Sequence, residues 1–177
     1  PQNSKVTYKI YIKNDNPAKN IILCSAPSGG GGIKLIGDGK TATDLKAVFL
    51  SPIINGYVSM ENITAQYINQ RYYGAGEDSI FACGILKLFN CKLNGSKIDG
   101  LLEGEYGSKF ILENVTIISK SPKEYCMTVL NHQEVWINGG TFNKPVYARD
   151  YGQIWYKNVL TNPPVVESGY MGKVTLL

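Results

Sequence analysis

The sequence predicts an all-β protein, a right-handed parallel β-helix of about seven rungs. Three observations lead to this prediction. The composition is rich in tyrosine, with 12 residues, and in glycine, with 19, which suits strands joined by turns. Runs of Ala, Leu, Glu and Lys at helical spacing are absent. Short alternating segments end at Asn or Gly about every two dozen residues, which is typical of a solenoid built from strands.

The repeated segments are short strands that each end at a corner residue. They read KIYIKN, IKLIG, YVSMEN, LKLFN, KFILEN, VWING and IWYKN, and end at Asn14, Gly37, Asn62, Asn90, Asn114, Gly139 and Asn158. The separations run from 158 − 139 = 19 to 90 − 62 = 28 residues. Asn and Gly tolerate the left-handed backbone of a sharp corner, and stacked Asn side chains can hydrogen-bond between rungs. We therefore expect all seven residues at equivalent corners.

A second short strand follows the corner and supplies an expected core column. Apolar or small residues stand just past the corner, as an inward stack requires: Ile63, Cys91, Val115, Gly140 and Val159. The residue before the corner varies, through Glu61, Phe89, Glu113, Asn138 and Lys157. Such a variable column indicates architecture and not a catalytic position.

Another strand precedes each corner strand and ends near glycine, at Gly84, Gly107, Gln133, Gly152 and Gly172. If Gly107, Gln133 and Gly152 align, the residues before them fall into two neighbouring columns. One column contains Glu105, Asn131 and Asp150, and the other contains Tyr106, His132 and Tyr151.

These columns contain the candidate functional residues. Glu103 and Glu105 share a strand face about 6–7 Å apart, which is near the carboxylate separations of glycoside hydrolysis. The candidate acid–base residues are Glu103, Glu105 and Asp150, with Arg149 for an acidic sugar. Tyr106 and Tyr151 are the candidates for stacking on sugar rings, and His132 lies in the same column. The alternative interpretation is a solvated face of the β-helix without a ligand.

Charge and hydropathy bear on the class of partner. The chain has 18 basic and 14 acidic residues and a formal net charge of +4. The basic residues are scattered, which argues against a nucleic-acid partner. The apolar runs are far shorter than a membrane span, so we expect no membrane insertion.

The cysteines and the histidine argue against a metal site. Cys24, Cys83, Cys91 and Cys126 form no CxxC pair, so we expect small buried hydrophobes, with a disulfide framework as the alternative. His132 is the single histidine, which leaves no histidine metal site. We expect no cofactor.

Three segments resemble a known superfamily. They are KIYIKN followed by IKLIGDGKTAT, then YVSMENIT, then LFNCKLNGSKIDGLLEG. Together they resemble the pectin-lyase-like superfamily of right-handed β-helices and, more narrowly, pectin methylesterases. The resemblance implies an acid–base role for Asp99, but Ile98 and Gly100 replace the family's Gln and Thr. The segment EYCMTVLNH stands where the nucleophilic Asp is expected and contains no Asp. The resemblance therefore implies the fold without the esterase chemistry.

The sequence is interpreted as one β-helix domain over residues 1–177, a module of a larger or oligomeric protein. We expect a non-catalytic part of a spike, fibre or surface adhesin, on a virion or extracellular surface, that binds cell-surface glycans. The alternative is a carbohydrate-active enzyme: a polysaccharide esterase, lyase or hydrolase. The last segment, KVTLL, leaves an open strand edge. Identical chains, as in the homotrimers of phage tail spikes that this arrangement resembles, or flanking domains are the expected partners.

Overall fold

The structure of the chain is a computed structural model. The structure describes residues 6–12, 20–24, 32–38, 44–45, 47–51, 57–65, 68–70, 85–95, 102–104, 109–119, 125–159, 165–167 and 169–177.

All the regular secondary structure of the described residues is β-strand. In chain order they are β1 Thr7–Tyr11, β2 Asn20–Cys24, β3 Gly32–Ile36, β4 Asp44–Leu45, β5 Ala47–Ser51, β6 Tyr57–Glu61, β7 Thr64–Ala65, β8 Ile68–Gln70, β9 Ile85–Phe89, β10 Lys92–Gly95, β11 Leu102–Gly104, β12 Lys109–Glu113, β13 Thr116–Ser119, β14 Met127–Val129, β15 Glu134–Asn138, β16 Thr141–Phe142, β17 Val146–Ala148, β18 Gln153–Lys157, β19 Val165–Glu167 and β20 Lys173–Leu176.

These strands form four parallel sheets. Sheet 1 has eight strands in the order β1-β3-β6-β9-β12-β15-β18-β20, and sheet 2 has five in the order β16-β13-β10-β7-β4. Sheet 3 has the order β11-β8-β5-β2, and sheet 4 the order β14-β17-β19. The chain returns to sheet 1 after passing through the other sheets, and each return pairs beside the previous one. This all-β parallel architecture is consistent with the expected β-solenoid. We call the segment from one strand of sheet 1 to the next a repeat.

The core lies on the inner face of sheet 1 and beneath sheets 2 and 4. Strand alternation directs every second side chain inward, so the inward residues of successive repeats form continuous rows. One row of sheet 1 is Ile33, Val58, Leu86, Phe110, Val135, Ile154 and Val174. The next is Leu35, Met60, Leu88, Leu112, Ile137 and Tyr156. Most members of both rows are fully buried.

The corner after sheet 1 confirms most of the predicted repeat. Gly37, Asn62, Asn90, Asn114, Gly139 and Asn158 each follow the last register position of their strand. The four asparagines and Gly139 have positive φ angles between 51° and 70°. The Asn114 side-chain amide donates to Asn90 Oδ1 at 3.4 Å, and that of Asn158 donates to Asn138 Oδ1 at 3.2 Å. The ladder is interrupted at Gly139, where an added Cβ would lie 2.6 Å from Asn114 Oδ1.

The first predicted corner is wrong by register. Tyr11 pairs with Ile36, so Ile12 and not Asn14 occupies the position equivalent to Gly37. Asn14 itself lies outside the described residues.

The column after the corner is confirmed as core. Ile63, Cys91 and Val115 are buried, and Val159 packs against the core from a partly buried position. Gly140 continues the column with a φ of 99°, and a Cβ there would overlap the Val115 carbonyl oxygen. Only glycine fits this position without displacing backbone.

Sheet 2 ends with a side chain in place of a longer strand. Strand β16 has two residues, whereas its neighbour β13 has four. The Asn143 amide supplies the missing pairing: its Oδ1 accepts from the Ser119 N–H and its Nδ2 donates to the Ser119 carbonyl, both at 2.8 Å. The edge of β13 is thereby satisfied at its last residue.

The described thiols behave as the expected small hydrophobes. Cys91 and Cys126 are buried and free. Burial raises the pKa of Cys91 to about 11 and that of Cys126 to about 12, so both stay protonated at neutral pH. Cys83 and the side chain of Cys24 lie outside the described residues.

Candidate functional site

A second row of sharp turns lies just before sheet 1 and holds three of the predicted site residues. Asn131 and His132 have φ angles of 52° and 59°, and Asp150 and Tyr151 have 47° and 66°. Two successive positive φ angles are the signature of a type I′ turn. In the next repeat Met171, the equivalent of Tyr151, has a φ of 59°, whereas Tyr170, the equivalent of Asp150, has no positive φ. The third turn therefore keeps only the second left-handed position of the row.

Backbone hydrogen bonds fix these turns. The Gln133 N–H donates to the Leu130 carbonyl at 3.0 Å, and the Gly152 N–H donates to the Arg149 carbonyl at 2.8 Å. Neighbouring turns are joined, because the Asn131 N–H donates to the Asp150 carbonyl at 2.9 Å.

The residue that closes each turn is buried. Gln133 is buried and its Oε1 accepts from the Leu130 N–H at 3.2 Å. Gly152 and Gly172 occupy the equivalent places in the next two repeats. A Cβ at Gly152 would overlap the Val129 carbonyl oxygen, and one at Gly172 the Ala148 carbonyl oxygen. The predicted glycine ends are thus explained by close backbone approach.

The turns present an exposed aromatic ridge, which we define as His132, Tyr151 and Tyr170. The His132 and Tyr151 rings are stacked, with centroids 4.7 Å apart and an interplanar angle of 6°. The Tyr170 ring stands perpendicular to that of Tyr151, with centroids 6.0 Å apart and an angle of 89°. Tyr170 is 68% exposed and Tyr151 is 42% exposed. His132 covers one face of the Tyr151 ring, and Tyr170 is therefore the more exposed of the two tyrosines.

The ridge turns use residues that adopt a positive φ at a cost. The corner after sheet 1 is occupied by Asn and Gly, for which the left-handed region is least costly. The ridge turns place His132, Tyr151 and Met171 in the same region. Histidine is among the residues enriched in this region, whereas Tyr151 and Met171 are outliers that cost of order 1–3 kcal/mol, and such outliers cluster at functional sites. At these two positions the side chain, more than the backbone, explains the residue found.

Charged groups lie beside the ridge. Arg149 Nε lies 3.5 Å from Asp150 Oδ2, and both side chains are about half exposed. An exposed pair of this kind contributes little to stability. Gly169 has a φ of 86°, and a Cβ there would lie 3.1 Å from the Tyr147 hydroxyl oxygen and 3.2 Å from Arg149 Cβ. The Gly169 backbone therefore packs closely against Tyr147 and Arg149.

The structure brings together part of the predicted site. His132 and Tyr151 stack within the ridge, and Arg149 and Asp150 directly precede Tyr151 in the chain. Asp99, Glu105 and Tyr106 lie outside the described residues. Strand β11 contains Glu103, which pairs with Asn69 in sheet 3, and the side chain of Glu103 is not described. The group shown beside Asp150 is the Arg149 guanidinium.

The alignment of Gly107 with Gln133, on which the Glu105 column depends, lies outside the described residues. It assumes an offset of 133 − 107 = 26 residues, whereas the nearest described pair, Lys109 and Glu134, has an offset of 134 − 109 = 25. The Asn131–Asp150 and His132–Tyr151 pairings do follow from the register of Glu134 with Gln153.

Sequence reasoning missed three groups of aromatic residues. Tyr170 completes the ridge, Tyr125 stacks on Tyr147 with centroids 4.3 Å apart, and Trp136 stacks on Trp155 with centroids 4.5 Å apart. A signal was present, because Tyr147, Tyr151 and Trp155 recur at four-residue intervals. Tyr170 falls one position before the column of Tyr151, which is why alignment by columns passed over it.

Two further kinds of feature bear on function, namely metal sites and membrane-spanning helices. Within the described ranges, His, Cys, Asp and Glu form no group of three or more able to hold a metal ion. In that same part of the chain, no helix is long and apolar enough to cross a membrane.

Comparisons of the chain with models of known protein families, with curated proteins and with solved structures found no match. The resemblance to the pectin-lyase-like superfamily therefore stays a prediction.

Proposed function

We propose that this chain is a non-catalytic module of a spike, fibre or surface adhesin that binds cell-surface glycans through the aromatic ridge. The observation that carries the proposal is the ridge itself: three exposed rings, of which that of Tyr151 is held at a turn position where Asn or Gly would be less strained. Strain of this kind is retained when the side chains that it presents are useful.

The chemistry of the ridge suits a sugar. Aromatic faces pack against the C–H groups of a pyranose, and the tyrosine hydroxyls provide hydrogen bonds at the rim. Arg149, beside Asp150, can pair with a carboxylate on the ligand. Because His132 covers one face of Tyr151, the perpendicular ring of Tyr170 is the more open platform.

The finer architecture belongs to the same proposal. We take the fold as a right-handed β-helix of about seven rungs, allied to the pectin-lyase-like superfamily. The parallel order of sheet 1 and the recurring corner support this. Identical chains in a homotrimer, or flanking domains, are the proposed partners, and a virion or extracellular surface is the proposed location. Sedimentation analysis of the full-length protein would test the trimer.

A glycan array tests the function. We expect the wild-type protein to bind a restricted set of glycans. Tyr170→Ala and Arg149→Ala should each weaken binding about tenfold, because one stacking or charge-assisted contact is worth about 1–2 kcal/mol. Tyr11→Ala is the matched control, since Tyr11 is equally exposed but lies on β1, the first strand of sheet 1.

The array also separates the enzyme alternative. If glycans incubated with the protein are cleaved or de-esterified, and Asp150→Asn abolishes that change, the module is an enzyme. If the intact protein binds no glycan and all variants behave alike, the ridge is a solvated face.

A further inference from the structure

The outer face of sheet 1 carries a second aromatic pair close to the ridge. Trp136 on β15 and Trp155 on β18 are register partners, and their rings stack with centroids 4.5 Å apart and an angle of 12°. Both are partly exposed, whereas their chain neighbours Val135, Ile137 and Ile154 point into the core. They are the only two tryptophans of the chain.

The two faces of this pair differ in what covers them. The Lys109 ammonium lies 5.2 Å from the Trp136 ring centroid and 3.1 Å from Glu134 Oε2, so the Trp136 side is occupied. On the other side, Trp155 pairs in register with Thr175 of β20, an exposed and small residue. The open ring face is therefore that of Trp155, toward β20.

The ridge lies where the chain enters strands β15, β18 and β20, and the Trp pair lies at the middle of β15 and β18. His132 and Trp136 are four residues apart, as are Tyr151 and Trp155. Four residues of strand span at most about 13 Å. On β20, Lys173 is exposed between Tyr170 at the ridge and Thr175 beside Trp155. A ligand lying along β20 would meet the open faces at both ends.

The charge on strands β18 and β20 has one sign. These strands contain Lys157 and Lys173, both exposed, and no acidic residue. At the ridge end Arg149 lies beside Asp150, so the net positive charge of the path comes from the two lysines. An anionic ligand is thereby favoured over a neutral one.

We propose that the glycan site extends along β20 from Tyr170 to Trp155 and takes an anionic oligosaccharide of several sugar units. This inference rests on the proposed glycan binding and adds the class and length of the ligand. Carboxylates of the sugar chain pair with Lys173 and Lys157, and one sugar ring stacks on Trp155.

Tryptophan fluorescence tests this extension directly, because both tryptophans lie in the proposed site. The probes are size-graded oligosaccharides from polygalacturonate, hyaluronan and polysialic acid, with neutral fragments of chitin and dextran for comparison. We expect long anionic fragments to change the tryptophan emission and to bind at least about tenfold more tightly than their monosaccharides. Trp155→Ala and Lys173→Gln should each remove that gain, while Tyr11→Ala leaves it intact.

The outcomes are distinct. Short and long fragments that bind equally to the wild-type protein, with no change in emission, would overturn the extended site and leave ridge binding standing. Neutral fragments that bind as tightly as anionic ones would overturn the charge assignment. An absence of binding to every probe and to the glycan array would overturn both the extension and the proposed function.

Discussion

Tyr151 stacks on His132 of the preceding repeat with ring centroids 4.7 Å apart, although both residues have a positive φ. The chain contains a second row of positive φ angles, after sheet 1, and fills it with asparagine and glycine. One row thus follows the backbone preference of its residues, and the other opposes it at Tyr151 and Met171. This contrast, within one molecule, is the basis of the functional proposal.

Asn114 tests the corner row. Asn114→Ala should lower the free energy of unfolding by about 1–2 kcal/mol, because alanine adopts a φ of 51° less readily and loses the hydrogen bond to Asn90. Asn114→Gly should be milder, since it loses the hydrogen bond alone. Urea titration of both variants measures the difference. Equal losses would show that the left-handed backbone is not the reason for asparagine here.

Gly152 tests the close approach beneath the ridge. Gly152→Ala should destabilise by more than about 2 kcal/mol, because its Cβ would overlap the Val129 carbonyl oxygen and backbone cannot move aside cheaply. Gln153→Ala, one residue further and on the outer face, is the control and should change stability by less than about 1 kcal/mol. Thermal melts of the two variants provide the comparison. A tolerated alanine at residue 152 would contradict the close approach of Gly152 to the end of β14.

Val115 tests the core column. Val115→Asp would place an unpaired carboxylate in a fully buried site and should destabilise by several kcal/mol. Thr116→Asp, on the neighbouring outward position of β13, should cost far less. Chemical denaturation of the pair decides whether the assigned faces are right. A wild-type-like transition for Val115→Asp would reject them.

The buried thiols predict a dependence on alkaline pH. Burial raises the pKa of Cys91 from its ordinary 9.0 to about 11, and that of Cys126 to about 12. The unfolded chain therefore releases these protons at lower pH than the folded chain does. The stability that comes from the protonated buried thiols is complete below pH 9 and is lost as the pH rises toward 11 and 12.

The measurement is the free energy of unfolding from pH 8 to pH 11. We expect the wild-type protein to lose at most about 1.4 kcal/mol per pH unit for each buried thiol. The Cys91→Ala/Cys126→Ala variant should lose less free energy of unfolding over the same interval. The other titrating groups are common to both proteins, so the difference between the two curves comes from the thiols. Parallel curves for the two proteins would contradict the assigned burial of the thiols.

The fold could be predicted from sequence because its signal is local and repeated. Asn62, Asn90 and Asn114 occupy the same left-handed position in three repeats, so the prediction of the corner did not depend on any one residue. The prediction was wrong at Asn14, where the strand ends earlier: Ile12 has the corner position, and no left-handed residue marks it.

The candidate site was predictable only in part, because it depends on register between strands. The alignment that placed Glu105 lies outside the described residues, and it differs by one residue from the offset of the nearest described pair, Lys109 and Glu134. Tyr170 shows the same effect, since Met171 and not Tyr170 is the register equivalent of Tyr151. The Trp136–Trp155 stack escaped notice because periodic corners, and not outward-facing positions, guided the sequence interpretation.

The measurement that tests the account most directly compares glycan binding and stability in one double variant, His132→Asn/Tyr151→Asn. Asparagine relieves the left-handed backbone at both turns, which offsets the about 0.5–1.5 kcal/mol lost with the ring stack. We predict a free energy of unfolding within about 1 kcal/mol of wild type, or higher, together with loss of the glycan binding that the wild-type protein shows on the array. A variant that binds glycans as well as wild type, or a wild-type protein that binds none, would contradict the claim that these turns are strained in order to present a binding surface.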